Sequence, residues 1–188
     1  MTRNPSSTSD RQSPDSGLVA VVDAAYCDDA ASGACVLLSG FDSPDPETTA
    51  QIRLARHSAG YEPGAFYKRE LPVLLALLAK VGAPLRAIVI DGYVFLGRDG
   101  RPGLGARLAE ALDGRVPVIG VAKTPFRGDD WSLPVFRGAS RRPLQVTATG
   151  IAPAVAARAV TSMHGSHRIP AMCRLADRLA RDALDQSA

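Results

Sequence analysis

The stretch Leu85-Arg86-Ala87-Ile88-Val89-Ile90-Asp91-Gly92-Tyr93 constrains this chain more than any other. Ala87 to Ile90 is an unbroken apolar run rich in β-branched side chains, the pattern of a strand buried on both faces inside a sheet. The run ends on a carboxylate and a glycine. Open α/β sheets hold ligands outside the carboxyl ends of their central strands, so Asp91 stands where chemistry is often done. Asp-Gly is equally the chemistry of an ordinary turn, and the other elements must decide between the two.

Two more runs repeat the pattern: Leu18-Val19-Ala20-Val21-Val22 leads to Asp23, and Val118-Ile119-Gly120-Val121-Ala122 leads to Lys123. After Asp23, a turn-rich connector over residues 27–33 precedes a predicted strand at 34–39. Residues 51–56 then alternate polar and apolar, as a strand with one wet face does. Three strands with short connections make an antiparallel meander. A helix is predicted over about 66–80, with Leu71, Leu74, Leu75 and Leu78 on its apolar face and Pro72 confined to its first turn. Glu70 then lies near the helix N-terminus, where the dipole favours a carboxylate. A loop at 93–102, a helix at 103–112, an irregular basic segment at 124–143, a last strand at 144–149 and helices at 153–163 and 172–184 complete the order.

Residues 1–16 carry almost no apolar side chains and are expected to be a disordered tail. Residues 17–188 are expected to be one domain. An apolar fraction of 46% with 22% charged residues suits a globular core. No apolar run reaches the roughly 18 residues of a membrane span, and the N-terminus lacks a secretory segment. A cytoplasmic protein without a membrane is the expectation. Cys27, Cys35 and Cys173 lack C-x-x-C spacing, which argues against a disulfide framework and a zinc site. The pair His164 and His167 is explained by a helix-end loop rather than a metal. A net charge of +3 permits a polyanionic partner without requiring one. Arginines crowd the C-terminal half, and some of them fall in loops suited to phosphate contact. Trp131 and Phe136 in the basic segment could stack on bases, but packing beneath the loop is the expectation.

This order matches a ribonuclease H-like α/β fold: a mixed sheet whose antiparallel three-strand meander is extended by parallel strands and flanked by helices. Asp23 and Asp91 would then end neighbouring parallel strands about 4.8 Å apart. Two carboxylates that close repel unless a cation lies between them, and Mg²⁺ is typically held by one or two carboxylates plus substrate phosphate. Glu70 would add a third acid. Lys123 would offset charge on a developing oxyanion or hold the phosphate.

Several elements occur together: Val22-Asp23-Ala24-Ala25-Tyr26, Tyr61-Glu62-Pro63-Gly64, Arg69-Glu70, Ile90-Asp91-Gly92, Gly120-Val121-Ala122-Lys123, Arg168-Ile169-Pro170 and Arg174-Leu175-Ala176-Asp177. In this order the chain resembles the endonuclease V family from about residue 17 to 185. The resemblance implies a nuclease directed at deaminated adenine (inosine or deoxyinosine) in DNA or RNA. It would act as a monomer with Mg²⁺ or Mn²⁺, cutting one nucleotide 3′ of the lesion to leave a 5′-phosphate. Asp23 and Asp91 would hold the metal, Glu70 would complete the acidic set, and Lys123 would act near the scissile phosphate. Tyr61 would wedge the gap left by a flipped base, Pro63 would contact the nucleic acid beside it, and Gly64 and Gly92 would let backbone approach that base. The chain departs from the family after Asp91. Tyr93-Val94-Phe95 replaces the usual glycine-containing turn, and the family's base-pocket histidine has no counterpart. Two alternatives therefore stand beside the inosine-directed nuclease: a nuclease of shifted specificity, and a non-catalytic nucleic-acid-binding protein of the same fold.

Overall fold

The computed structural model describes residues 17–27, 29–55 and 67–185. The expected tail and the Tyr61, Pro63 and Gly64 element lie outside them. Strands β1 (Leu18–Tyr26), β2 (Ala30–Leu38) and β3 (Thr48–Ala55) form the expected antiparallel meander. Helix α1 (Tyr67–Leu78) carries the chain to β4 (Leu85–Asp91), which lies parallel to β1. A small hairpin, β5 (Phe95–Leu96) with β6 (Arg101–Pro102), precedes α2 (Leu104–Ala111) and β7 (Val118–Ala122), parallel to β4. Then come β8 (Leu133–Val135), β9 (Leu144–Thr149), α3 (Pro153–Ser162) and α4 (Ala171–Asp185). The seven-stranded sheet runs β3-β2-β1-β4-β7-β9-β8.

Three local expectations are corrected. First, β9 pairs antiparallel with β7 and with β8, because the chain leaves β8 by a short loop without a helix and turns back between the two. Second, β2 starts at Ala30 and absorbs Ser32 and Gly33 from the expected connector. Both fit the core: the Ser32 hydroxyl donates to the Ala180 carbonyl, and Val73 and Leu77 lie over Gly33. Third, Pro72 is the sixth residue of α1 rather than a first-turn residue.

Side-chain alternation divides the core into two layers. Val22, Ile88 and Ile90 face one side with Leu74, Leu77 and Leu108 from α1 and α2. Val19, Val21, Val89, Ile119 and Val121 face the other with Val160, Met172 and Ala176 from α3 and α4. Each fully buried aliphatic of this kind contributes about 1.5–3 kcal/mol relative to exposure. Among the described residues no helix is long and apolar enough to cross a membrane.

Candidate active site

The register that pairs Val22 with Ile90 makes Asp23 and Asp91 the next residues on adjacent parallel strands. Asp91 ends β4 as expected, whereas Asp23 is not terminal. β1 runs on to Tyr26 because β2 continues to pair with it. Lys123 follows directly on β7. Alternation turns Asp23, Asp91 and Lys123 to the same face as Val21, Val89 and Val121, the face that α4 covers. There they line a cavity of about 70 Å³ together with Cys173, Arg174 and Asp177 of α4. Glu70 arrives from the opposite layer, on α1, and shares a narrow crevice with Asp23, Ala24 and Asp91.

Four carboxylates thus converge on one end of the sheet with two cations, Lys123 and Arg174. Burial, then the charges of Asp91 and Asp177, push the Asp23 carboxyl up to about 6, against a 2.8 Å hydrogen bond from the Ala24 amide. Burial and the charges of Asp23 and Asp91 push Glu70 up to about 8. Burial works against the Lys123 ammonium, but the hydrogen bond to Asp91 and the charges of Asp91, Asp23 and Asp177 outweigh it and raise its pKa. Its Nζ donates to Asp91 Oδ2 at 2.5 Å. Among the described residues no three acidic, thiol or imidazole groups are drawn tightly enough to enclose a metal. The donor set is nevertheless one of hard oxygens crowded against their own charge, which is the chemistry that suits Mg²⁺ or Mn²⁺.

Beyond Asp91 the chain crosses over β7. Gly92 has φ +142, a conformation open to glycine. Its carbonyl lies over Gly120, where a Cβ would come within 2.5 Å of it and 2.7 Å of Thr147 Oγ1. The Val94 amide donates to that hydroxyl at 2.8 Å. A cleft of about 250 Å³ opens here, lined by Tyr67, Glu70, Asp91, Gly92, Tyr93, Leu96 and residues 102–104. The Tyr93 hydroxyl donates to the Thr124 carbonyl and accepts from the Phe126 amide, which ties the cleft to the segment after Lys123.

Asp23, Glu70, Asp91, Lys123 and Gly92 are therefore brought together, and Tyr61, Pro63 and Gly64 lie outside the described residues. Asp177 joins the acidic set from α4, although its local sequence carries no signal of this beyond the R-x-x-D element of the resemblance. The expected packing of the two aromatics is corrected. Trp131 lies 5.7 Å from the Phe95 ring with its indole N–H on the Arg98 carbonyl, yet stays 48% exposed rather than packed beneath the loop. Phe136 stays 59% exposed.

The family model described as Endonuclease V matches residues 2–152. Endonuclease V of Streptomyces coelicolor is 34% identical over 93% of this chain and 82% of its own length. The crystal structure of endonuclease V from Streptomyces avermitilis superposes with a TM-score of 0.74 at 31% identity, covering 93% of this chain and 84% of that one. Endonuclease V of Ciona intestinalis, solved with a 24mer DNA containing an inosine followed by a ribo-adenosine, shares the fold at 19% identity. Its TM-score is 0.73, over 92% of this chain and 87% of that one. With matching sequence, a matching sheet and its acids at the expected strand register, this chain belongs to the endonuclease V family of nucleases.

Proposed function

We propose that this protein is a Mg²⁺-dependent endonuclease that cuts on the 3′ side of inosine or deoxyinosine in a nucleic-acid strand, leaving a 5′-phosphate. The observation that carries the reading is the gathering of Asp23, Asp91 and Lys123 on adjacent strands at one end of the sheet, beside an open cleft that shares Asp91. The Ciona relative's inosine-containing DNA supports the choice of substrate. Asp23 and Asp91 would hold the metal, with Glu70 and Asp177 completing the acidic set from the two helical layers. When bound, the ion activates water and stabilises charge on the phosphoryl oxygens. Lys123 offsets charge at the scissile phosphate. Gly92 and Gly64 let backbone approach the base, while Tyr61 fills the gap it leaves and Pro63 contacts the strand beside it. Tyr93 and Leu96 in the cleft wall favour a shifted base preference as the second reading.

The test is a nicking assay under enzyme excess, with end-labelled single and double strands bearing one deoxyinosine, or inosine in RNA. A metal-dependent cut one nucleotide 3′ of the lesion is expected. Metal-dependent cutting elsewhere would favour the second reading, and binding without cutting would leave a non-catalytic reader of altered bases.

A pH dependence follows from the acids. Asp23 and Glu70 both titrate above their ordinary range in the metal-free protein. A carboxyl raised on folding contributes stability below its unfolded pKa and loses it as pH climbs through the folded value. The metal-free melting temperature should therefore fall between about pH 4 and 8. Added Mg²⁺ should raise it more at pH 8 than at pH 5, because at the lower pH protons compete for the same oxygens. Melting curves with chelator and with Mg²⁺ at both pH values read this directly; an equal Mg²⁺ shift at both would count against these acids as ligands.

A further inference from the structure

Phe136 is the most exposed of the large apolar side chains among the described residues. Phe126 and Trp131, also part-exposed, each have a ring partner, Tyr93 and Phe95. Phe136 has none. Its neighbours Val135 and Arg137 are both buried, so backbone alternation holds its ring outward.

The loop that presents it is anchored. The Arg137 guanidinium turns inward and donates to the carbonyls of Met163 and, at 3.0 Å, Gly165. Gly138, at φ +57, lies so close to the Ser166 carbonyl that a Cβ there would meet it at 2.2 Å. An exposed aromatic on a pinned backbone loses little entropy when something stacks on it.

The position of this loop gives it meaning. β9 enters the sheet at the end where the acids lie, and Val135 pairs with Leu144, so Phe136 leaves β8 at that same end. The loop returns through exposed Arg141 and Arg142 to Pro143. There the Arg168 guanidinium donates to the Pro143 carbonyl at 2.9 Å and also to the carbonyl of Lys123, joining the loop to the strand that carries the catalytic lysine.

We propose that Phe136, Arg141 and Arg142 form a second contact for an unpaired strand, away from the lesion cleft. One base stacks on the Phe136 ring while the guanidiniums take flanking phosphates. Aromatic and guanidinium groups together on a rigid surface fit single-stranded nucleic acid, whose bases offer a stacking face whatever the sequence. Two adjacent exposed guanidiniums beside an exposed aromatic ring favour a polyanion with stacking faces over an apolar protein surface. The inference rests on the proposed function, because it extends the path of the same strand.

The test is binding by fluorescence anisotropy, in the Asp91→Asn background with Mg²⁺ so that strands stay whole. Single-stranded deoxyinosine oligonucleotides are shortened one nucleotide at a time from either end. Affinity should step down at one length on one side. Phe136→Ala should remove the step and weaken binding of the long oligonucleotide by about 5- to 100-fold, and Phe136→Tyr should restore it. The pair Arg141→Gln with Arg142→Gln should lower the slope of log affinity against log salt by about 1.4, a change Phe136→Ala does not make. Wild-type-like binding and an unchanged step in Phe136→Ala would overturn the inference and leave the proposed function standing. No binding of any oligonucleotide by the parent would overturn both.

Discussion

Asp91→Asn should abolish nicking, by about 10³-fold or more, while leaving the protein folded and as stable as before or more so. The substitution keeps the shape of the side chain and removes its charge. The ion pair it breaks with Lys123 is part-exposed, at 37% for Asp91 and 43% for Lys123, and pairs of that kind contribute about 0–1 kcal/mol. Against that small loss, Asp91 is one of the charges that push Asp23 and Glu70 upward, so its removal relieves repulsion in the metal-free protein. A thousandfold loss corresponds to about 4 kcal/mol of barrier, far beyond any structural effect the change could have. Single-turnover nicking and a thermal melt on one preparation test both halves. Cutting within tenfold of the parent would sink the assignment of Asp91 to the metal.

Gly120→Ala should damage the cleft out of proportion to its size. Its methyl group would come within 2.5 Å of the Gly92 carbonyl and 2.7 Å of Thr147 Oγ1, with the Val94 amide at 3.0 Å. The two backbone atoms cannot swing aside, and the Thr147 hydroxyl is held in place by the Val94 amide. The crossing segment must lift, which stretches the Val94-to-Thr147 hydrogen bond and moves Gly92 and Tyr93 in the cleft wall. Overpacking of this kind costs about 1–3 kcal/mol, a fall of roughly 2–4 °C in melting temperature per kcal/mol for a chain this long. Cleavage should suffer more than stability, with discrimination between inosine and adenosine strands falling alongside rate. A variant that melts lower but keeps parental rate and discrimination would show that the crossing does not set the cleft.

What could be read from the sequence followed from how local its signals were. The runs behind Asp23, Asp91 and Lys123 announce buried strands because both faces of each are covered. Glu70 was placed by helix position alone. Asp177 was invisible to that reasoning: in Arg174-Leu175-Ala176-Asp177-Arg178 it reads as one more solvated charge on an amphipathic helix, and only the docking of α4 on β1 and β2 brings it to the acids. Ser32 and Gly33 looked like turn residues, yet the overlying α4 carbonyl and α1 side chains make them strand. Phe136 was expected to pack because basic loops with aromatics commonly fold over them; here Arg137 takes the inward position instead. In each miss, a contact distant in sequence overrode a local pattern.

The docking of α4 also sets an order of events during synthesis. Residues 23, 70, 91 and 123 leave the ribosome well before residues 171–185, and until that helix arrives the acid-bearing face of β1 and β2 is uncovered. The last acid and the wall of the cavity arrive together with the apolar stripe of Met172, Ala176, Ala180 and Ala183 that seats them. A chain stalled before residue 171 would hold the strand-borne lining of the cavity but lack the wall that Cys173, Arg174 and Asp177 supply. The acids set on β1 and β4 thus gain their covering wall only when α4 docks, which makes the seating of that one helix the closing step in assembling the site.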